Sequence, residues 1–564
     1  MTGIKGLIRK SVVEQIQMDI WKDENMDKIV PSLLFNMNSR DFDRTLSHDS
    51  TTSMESRSSQ NSSTSPPVLA EECLRELVQR ATFGQVSHIL KPLIKHLDLH
   101  KLWQTGCDDK FAVSSFKIIM YSIQPQHSYD VVQMLMNHLD AVRNEELQTG
   151  NDLKSQSRVR SSIPFESSRQ KTELIRVRTG IVDVLREIVT SAITDIIGPS
   201  ILSLINTLMI HLKQSNQNIC LKQFTGEEKN FQDSVINTLG AFALNLPDFQ
   251  KIEIMIFLID RAPQPTSTEI SDIQLQKIIM NGLLKVATKY QAKNMMQTFP
   301  SNLLNQLLSR TLSPDCEVRV TVQKIFHCLI DRHNNLDKLL LPRTLSALEK
   351  VTIEKADRTD LNFIKRFGGE ILLKIYQTIE LSNNKAENYN SIYTTLALIC
   401  IEMNSEDVLI DLLRLTFAIQ ELASKSSSIL DDENRARIHG LAAGFLHLFS
   451  DLKAIPAICA HVERVIQKRR EFAPQLLPEF VDNSSMDQID NGNTTRNWSV
   501  PEVRSNSNSV HGSLESLTSG PSELLFSKNV IMEALTTTGH DTSALFTPFL
   551  SRNDGEFGII LFFF

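Results

Sequence analysis

The stretch Ser301–Asn335, SNLLNQLLSRTLSPDCEVRVTVQKIFHCLIDRHNN, decides the fold. Leu303, Leu304, Leu307 and Leu308 fall on one face of a first helix. Ser313-Pro314-Asp315 then turns the chain. Val318, Val322, Ile325, Phe326 and Leu329 share one face of a second helix. Asp315 stands where a side-chain oxygen can accept the orphan N–H bonds of the second helix. Val318 enters the core three residues later. Taken alone, the stretch is a helical hairpin.

Outward from this hairpin the second stripe recurs. Val235, Leu239, Phe242, Ala243 and Leu246 repeat its offsets, as do Ile279, Leu283, Val286, Ala287 and Tyr290. A further stripe runs through Ile364, Gly368, Ile371, Leu372 and Ile375. The starts at 235, 279, 318 and 364 lie 44, 39 and 46 residues apart. Armadillo and HEAT units repeat every ~40–47 residues, and one unit cannot bury its apolar face alone. The Asp-x-x-Val-Arg turn at 315–319 fits that reading. The predicted class is all-α, an armadillo/HEAT-like helical-repeat solenoid. An elongated scaffold leads, and an enzyme is the minor reading.

Composition agrees. The 564 residues are 22% charged with net charge −7, an ordinary soluble surface with no basic excess to recruit nucleic acid. Seven scattered cysteines, with no CxxC, read as reduced thiols rather than a disulfide framework or zinc site. Met1–Lys10 has no apolar core of a signal peptide. Ile188–Leu212 is long and apolar enough to imitate a span, but Asp195 and Gly198-Pro199 interrupt it, so two helices are expected there.

Residues 1–38 are a helical start of the solenoid and 39–69 a disordered loop, poor in apolar residues. Residues 70–480 form the solenoid, with a polar insertion at 143–171. Residues 481–522 are a polar disordered linker, 523–550 a short helical segment and 551–564 a tail. An apolar helix beyond a linker docks onto the body or onto a partner.

No Gly-x-Ser-x-Gly, Gly-x-Gly-x-x-Gly or Walker loop occurs, so no catalytic, cofactor-binding or metal residue is assigned and no cofactor is expected. His96 and His100 have a zinc-compatible spacing but lack the zincin glutamate. Arg158, Arg160, Arg169, Lys171, Arg176 and Arg178 form a basic cluster that could face anionic lipid, against the alternative of a solvated helix face. Lys468-Arg469-Arg470 is a shorter run of the same kind. Arg332 and His333, at a helix end, are weighed between capping and partner binding.

Four blocks carry a family resemblance. Met26–Asn36 (MDKIVPSLLFN), Phe116–Gln124 (FKIIMYSIQ) with Gln126-His127-Ser128, Leu329–Asn335 (LIDRHNN) and Ala473–Glu479 (APQLLPE) occur in that order. Together they resemble the Eighty-five-requiring-three family, also called rolling blackout or stambha A. The resemblance implies a helical-repeat anchor protein at the cytoplasmic face of the plasma membrane. There it recruits type III alpha phosphatidylinositol 4-kinase through a tetratricopeptide-repeat adaptor and hyccin. It supports phosphatidylinositol 4-phosphate synthesis without being the kinase. Family members carry an N-terminal palmitoylated cysteine cluster, whereas the first cysteine here is Cys73. The family's adaptor-binding C-terminal region is likewise expected to be missing beyond about Leu550. A fragment or short isoform is therefore expected, cytosolic when expressed alone. The alternatives are a generic HEAT-like adaptor in trafficking or signalling, and, from another class, a lipid hydrolase.

Overall fold

The computed structural model describes residues 20–38, 66–82, 84–103, 110–156, 165–190, 201–340, 351–353, 355–425, 430–478 and 522–549. Two compact units divide the chain, residues 1–254 and 255–564. Among the described residues every regular element is a helix, apart from one isolated bridge between Lys355 and Asn404. The fold is an all-α armadillo/HEAT-like helical-repeat solenoid, as its stacking pattern within each unit shows.

The first unit contains α1 (Asp23–Asn38), α2 (Pro66–Arg80), α3 (Gln85–Leu99), α4 (Phe111–Ser122), α5 (Ser128–Gln156), α6 (Phe165–Val189), α7 (Ile201–Cys220) and α8 (Thr225–Leu244). Helices α2, α4, α6 and α8 stack in one row, and α1, α3, α5 and α7 in a second. Cross-packing of α1 on α2, α5 on α6 and α7 on α8 joins the rows. Each helix thus buries its stripe against sequence neighbours. At Gly180 on α6 the approach is closest: a Cβ there would stand 2.2 Å from the Trp103 carbonyl oxygen. Only glycine fits that contact.

Helix α9 (Asp248–Ile259) follows. The second unit contains α10 (Ile270–Ala287), α11 (Met295–Thr298), α12 (Ser301–Arg310), α13 (Cys316–Ile330), α14 (Leu336–Leu339), α15 (Arg358–Ile379), α16 (Ala386–Glu402), α17 (Glu406–Ser424), α18 (Asp432–Lys453), α19 (Pro456–Phe472) and α20 (Lys528–Thr537). Helices α10, α13, α16 and α18 form one row, and α12, α15 and α17 the other. Side-chain caps start several of them. Asp315 Oδ1 accepts from the Glu317 and Val318 amides at 2.9 and 3.1 Å. Asp357 and Asp431 do the same for α15 and α18, accepting from Asp360 and Asn434 at 2.7 and 2.8 Å. The five residues of the Val318–Leu329 stripe are buried. Phe326 packs against Phe299, which stacks on Phe363 of α15, with ring centroids 5.7 Å apart in each pair.

Four expectations need correction. The stripe from Ile364 does not continue the row of the other three. Its helix α15 packs with α12 and α17, and the next member of the α13 row is α16. The buried face of α15 is also rotated, carrying Phe363, Phe367, Leu372, Ile375 and Ile379, while Ile364, Gly368 and Ile371 are half-buried. Most of the polar insertion at 143–171 is helix, because α5 runs to Gln156 and α6 begins at Phe165. Its Gln, Glu, Lys and Arg residues are good helix formers even without an apolar stripe. Helix α2 begins at Pro66, inside the expected 39–69 loop, since proline suits a first helical turn.

Residues 188–212 contain the end of α6 and the start of α7, and no described helix is long and apolar enough to cross a membrane. Gly198-Pro199, the residues before Ile20, residues 39–65 of the expected 39–69 loop, residues 481–521 of the expected 481–522 linker and the 551–564 tail lie outside the described residues. No disulfide joins the six described cysteines.

Candidate functional site: buried charge clusters and a docked segment

The basic cluster of the first unit splits by exposure. Arg169 and Arg176 are exposed and Lys171 half-buried, while Arg158 and Arg160 lie outside the described residues. Arg178 is fully buried, so its assignment as a lipid-facing residue is corrected. From α6 its Nη2 donates to both oxygens of Glu228 on α8 at 3.1 Å. Its Nε lies 3.4 Å from Glu146 Oε2 on α5. The guanidinium also sits over the Phe231 ring, 4.5 Å from its centroid. Asn218 on α7 donates to Glu228 Oε1 at 2.6 Å and to Glu146 Oε1 at 3.3 Å. The cation therefore joins α5, α6 and α8, and Asn218 brings α7 to the same two carboxylates. Burial raises the Glu146 carboxyl, against the pull of Arg178. Burial, followed by Arg178 and Arg143, pushes the neighbouring His211 down to about 3, so it stays neutral against Asp140 at 3.0 Å.

Arg332 and His333 enter a second cluster. The loop after α13 turns at Asn334, whose φ is +56°. Arg332 Nη1 pairs with the fully buried Asp360 at 2.6 Å, and its Nη2 donates to the Glu402 carbonyl. His333 Nδ1 lies 2.7 Å from Glu402 Oε2, and Asn335 Nδ2 donates to Glu402 Oε1 at 2.7 Å. Asp331 accepts from the Asn335 and Leu336 amides at 2.8 and 3.0 Å. The Leu329–Asn335 string thus fastens the end of α13 to the start of α15 and the end of α16. Its polar atoms hold this joint, and partner binding through Arg332 and His333 has no support from the geometry.

The third cluster lies on α19. Lys468 pairs with Glu523, whereas Arg469 is fully buried. Arg469 Nε donates to the Leu524 carbonyl at 2.8 Å, and Nη1 to the His439 and Leu476 carbonyls at 3.0 Å each. Burial brings its pKa down to about 9, so it remains a cation at neutral pH. These contacts hold the segment after the linker, which docks back onto its own unit. Gln420 on α17 grips Phe526 with both amide atoms, donating to its carbonyl at 3.0 Å and accepting its N–H at 3.1 Å. The Ser527 N–H donates to His461 Nε2 at 3.0 Å. Burial, then Arg464, holds His461 below its ordinary pKa and preserves that acceptor. Arg414 Nη2 donates to the Pro548 carbonyl at 3.0 Å.

Two open grooves accompany the clusters. One of about 620 Å³ runs between α6 and α8, lined by Arg176, Arg186, Asn230, Asp233 and Asn237 among others. The other, about 580 Å³, is bounded by α15, α17 and the docked segment. Both have mixed charge. The His96 and His100 rings lie 4.4 Å apart, and burial takes His96 down to about 4. Among the described residues no group of three or more His, Cys, Asp and Glu is placed to hold a metal.

The buried partners Glu146, Glu228, Asp360, Glu402, Gln420 and His461 escape a reading of the sequence. Each is polar within an amphipathic helix, where a solvent-facing position is the ordinary inference. The one available signal is the placement of Arg178, Glu228 and Arg469 among buried apolar positions of their own helices.

The chain matches the family description "EFR3, armadillo repeat" over residues 1–155 and 166–536. It is 34% identical to Protein EFR3 homolog B of Homo sapiens over 584 residues, covering 99% of this chain and 64% of the relative. It is 38% identical to Protein EFR3 homolog A of Mus musculus over 504 residues, 85% of this chain and 57% of the relative. Protein EFR3 homolog of Caenorhabditis elegans is 34% identical over 579 residues, 99% of this chain and 61% of the relative. The chain thus spans 57 to 64% of the length of these relatives. No solved structure matches it. With a repeat-family match across nearly its whole length and relatives from worm to human above 30% identity, the chain belongs to the EFR3 family.

Proposed function

We propose that the chain is a non-enzymatic scaffold that helps recruit a phosphatidylinositol 4-kinase complex to the cytoplasmic face of the plasma membrane. In this reading it supports phosphatidylinositol 4-phosphate synthesis. The partners are the type III alpha kinase, its tetratricopeptide-repeat adaptor and hyccin. The observation that carries the reading is the EFR3 match over a stacked-helix fold whose buried ionic groups join helices to one another. Such a fold offers surface for assembly. Anionic membrane contact falls to the exposed Arg169 and Arg176 with Lys171 beside them, at about 1 kcal/mol per basic side chain near the surface.

The test uses cells depleted of their own family member. The chain is expressed with and without an added dual-acylation signal, since stable anchoring takes two signals. The acylated form should bring the kinase to the plasma membrane and restore phosphatidylinositol 4-phosphate. A kinase that stays cytosolic beside a membrane-anchored, folded chain would overturn the assignment. Vesicles containing anionic lipid give a separate reading. Replacing Arg169, Lys171 and Arg176 by glutamine should weaken salt-sensitive binding without unfolding the first unit.

A further inference from the structure

Gln420, His461, Arg469 and Arg414 grip the docked segment Ser522–Phe549 by its main chain. Such bonds read a backbone rather than a sequence, here chiefly the short non-helical step between a 3-10 turn ending at Leu524 and the helix capped by Ser527. Phe526 and Ile531 supply the apolar anchors, both buried. Glu523, just ahead of the anchors, meets Lys468. Residues 479–521, 43 in number, separate this segment from the repeats. Fully extended they reach about 140 Å, enough for the segment to leave without disturbing α19.

When the segment leaves, Gln420 and Arg469 Nε turn to water, while Arg469 Nη1 keeps the His439 and Leu476 carbonyls. A peptide that takes the segment's place regains the direct bonds by offering the same carbonyls and N–H groups. We propose that the cleft between α17 and α19 is a receptor for a linear peptide, and that Ser522–Phe549 is its intramolecular occupant. The external partner is a protein segment of the same chemistry. It has an acidic residue, a short non-helical stretch with an aromatic anchor, and then an amphipathic helix. The resident segment sets the threshold for entry, because its return to the cleft is intramolecular. The inference is independent of the kinase-complex reading.

The test keeps the full chain. Phe526→Ala with Ile531→Asp weakens the resident segment and leaves the cleft intact. A fluorescent peptide with the unaltered sequence of residues 520–549 is then titrated by anisotropy. The released variant should bind it at least about tenfold more tightly than the unaltered chain, which the tethered competitor blocks. Adding Gln420→Leu to the released variant should reverse the gain. Hydrogen exchange of α17 and α19 verifies that the cleft is folded, and Phe526→Ala alone serves if the double variant loosens it. Equal binding by both chains, or no binding by a folded released variant, overturns the proposal. So does an unaltered chain that is dimeric until the segment substitutions dissolve the dimer, which would assign the cleft to a second copy.

Discussion

Replacing Arg178 by methionine should destabilise the first unit by about 3–5 kcal/mol, the usual cost of removing one partner from a buried ion pair. Methionine keeps much of the apolar stem while removing the charge. It leaves Glu228 fully buried and Glu146 nearly so, two carboxylates facing each other without their cation. It also removes the cation from the face of Phe231. A domain is stable by about 5–15 kcal/mol, so the loss is a large share. Glu228→Gln in the Arg178→Met background removes one of the two charges and should restore much of the loss. The pH dependence has a definite sign. Burial already raises Glu146, and the loss of Arg178 raises it further. A carboxyl raised in the folded state contributes stability that is lost as pH rises through the folded value. The deficit should therefore be largest near pH 7.5 and shrink toward pH 5. Hydrogen exchange of α5 to α8 reads this locally, which suits a chain of two units. Unchanged protection at pH 7.5, or a Glu228→Gln change that deepens the loss, would refute the argument. Arg176→Met, at an exposed pair 4.0 Å from Glu227, should change protection little.

Val322 is fully buried on α13, so Val322→Ala should cost roughly 2 kcal/mol and Val322→Asp more, read as a lowered melting temperature of the second unit. Gly180→Ala should loosen α4 and α6 in hydrogen exchange, because its Cβ would meet the Trp103 carbonyl. Asp315→Ala should cost about 1 kcal/mol through its two lost amide bonds. Burial raises the Asp315 carboxyl, but Lys277 and those amides more than offset it. The cap's contribution should accordingly persist above about pH 4 and disappear as pH falls through the lowered folded value. Burial takes His327 to about 4 and His439 to about 3. Both are lowered, so stability of the second unit should fall as pH drops below about 6.5, and His327→Gln should flatten that slope in chemical denaturation.

The helical class, the hairpin at Ser301–Asn335 and the capping role of Asp315 are determined by residues within a few turns of one another. A 3.6-residue period and a cap are local properties, and they stand written in the sequence. The family could likewise be read from strings such as LIDRHNN, although what that string does could not. Arg332 reaches Glu402 across 70 positions, Arg178 reaches Glu228 across 50, and Arg469 reaches Leu524 across 55. Nothing in the helical period marks an arginine that will turn inward to a carboxylate so far along the chain. The row to which Ile364 belongs was hidden for the same reason. Amphipathicity says that a helix has an apolar face, while the helix that covers it is chosen by packing. Tertiary structure alone decided which charges are surface and which are fastenings, because desolvation and pairing depend on neighbours that only the folded chain brings together.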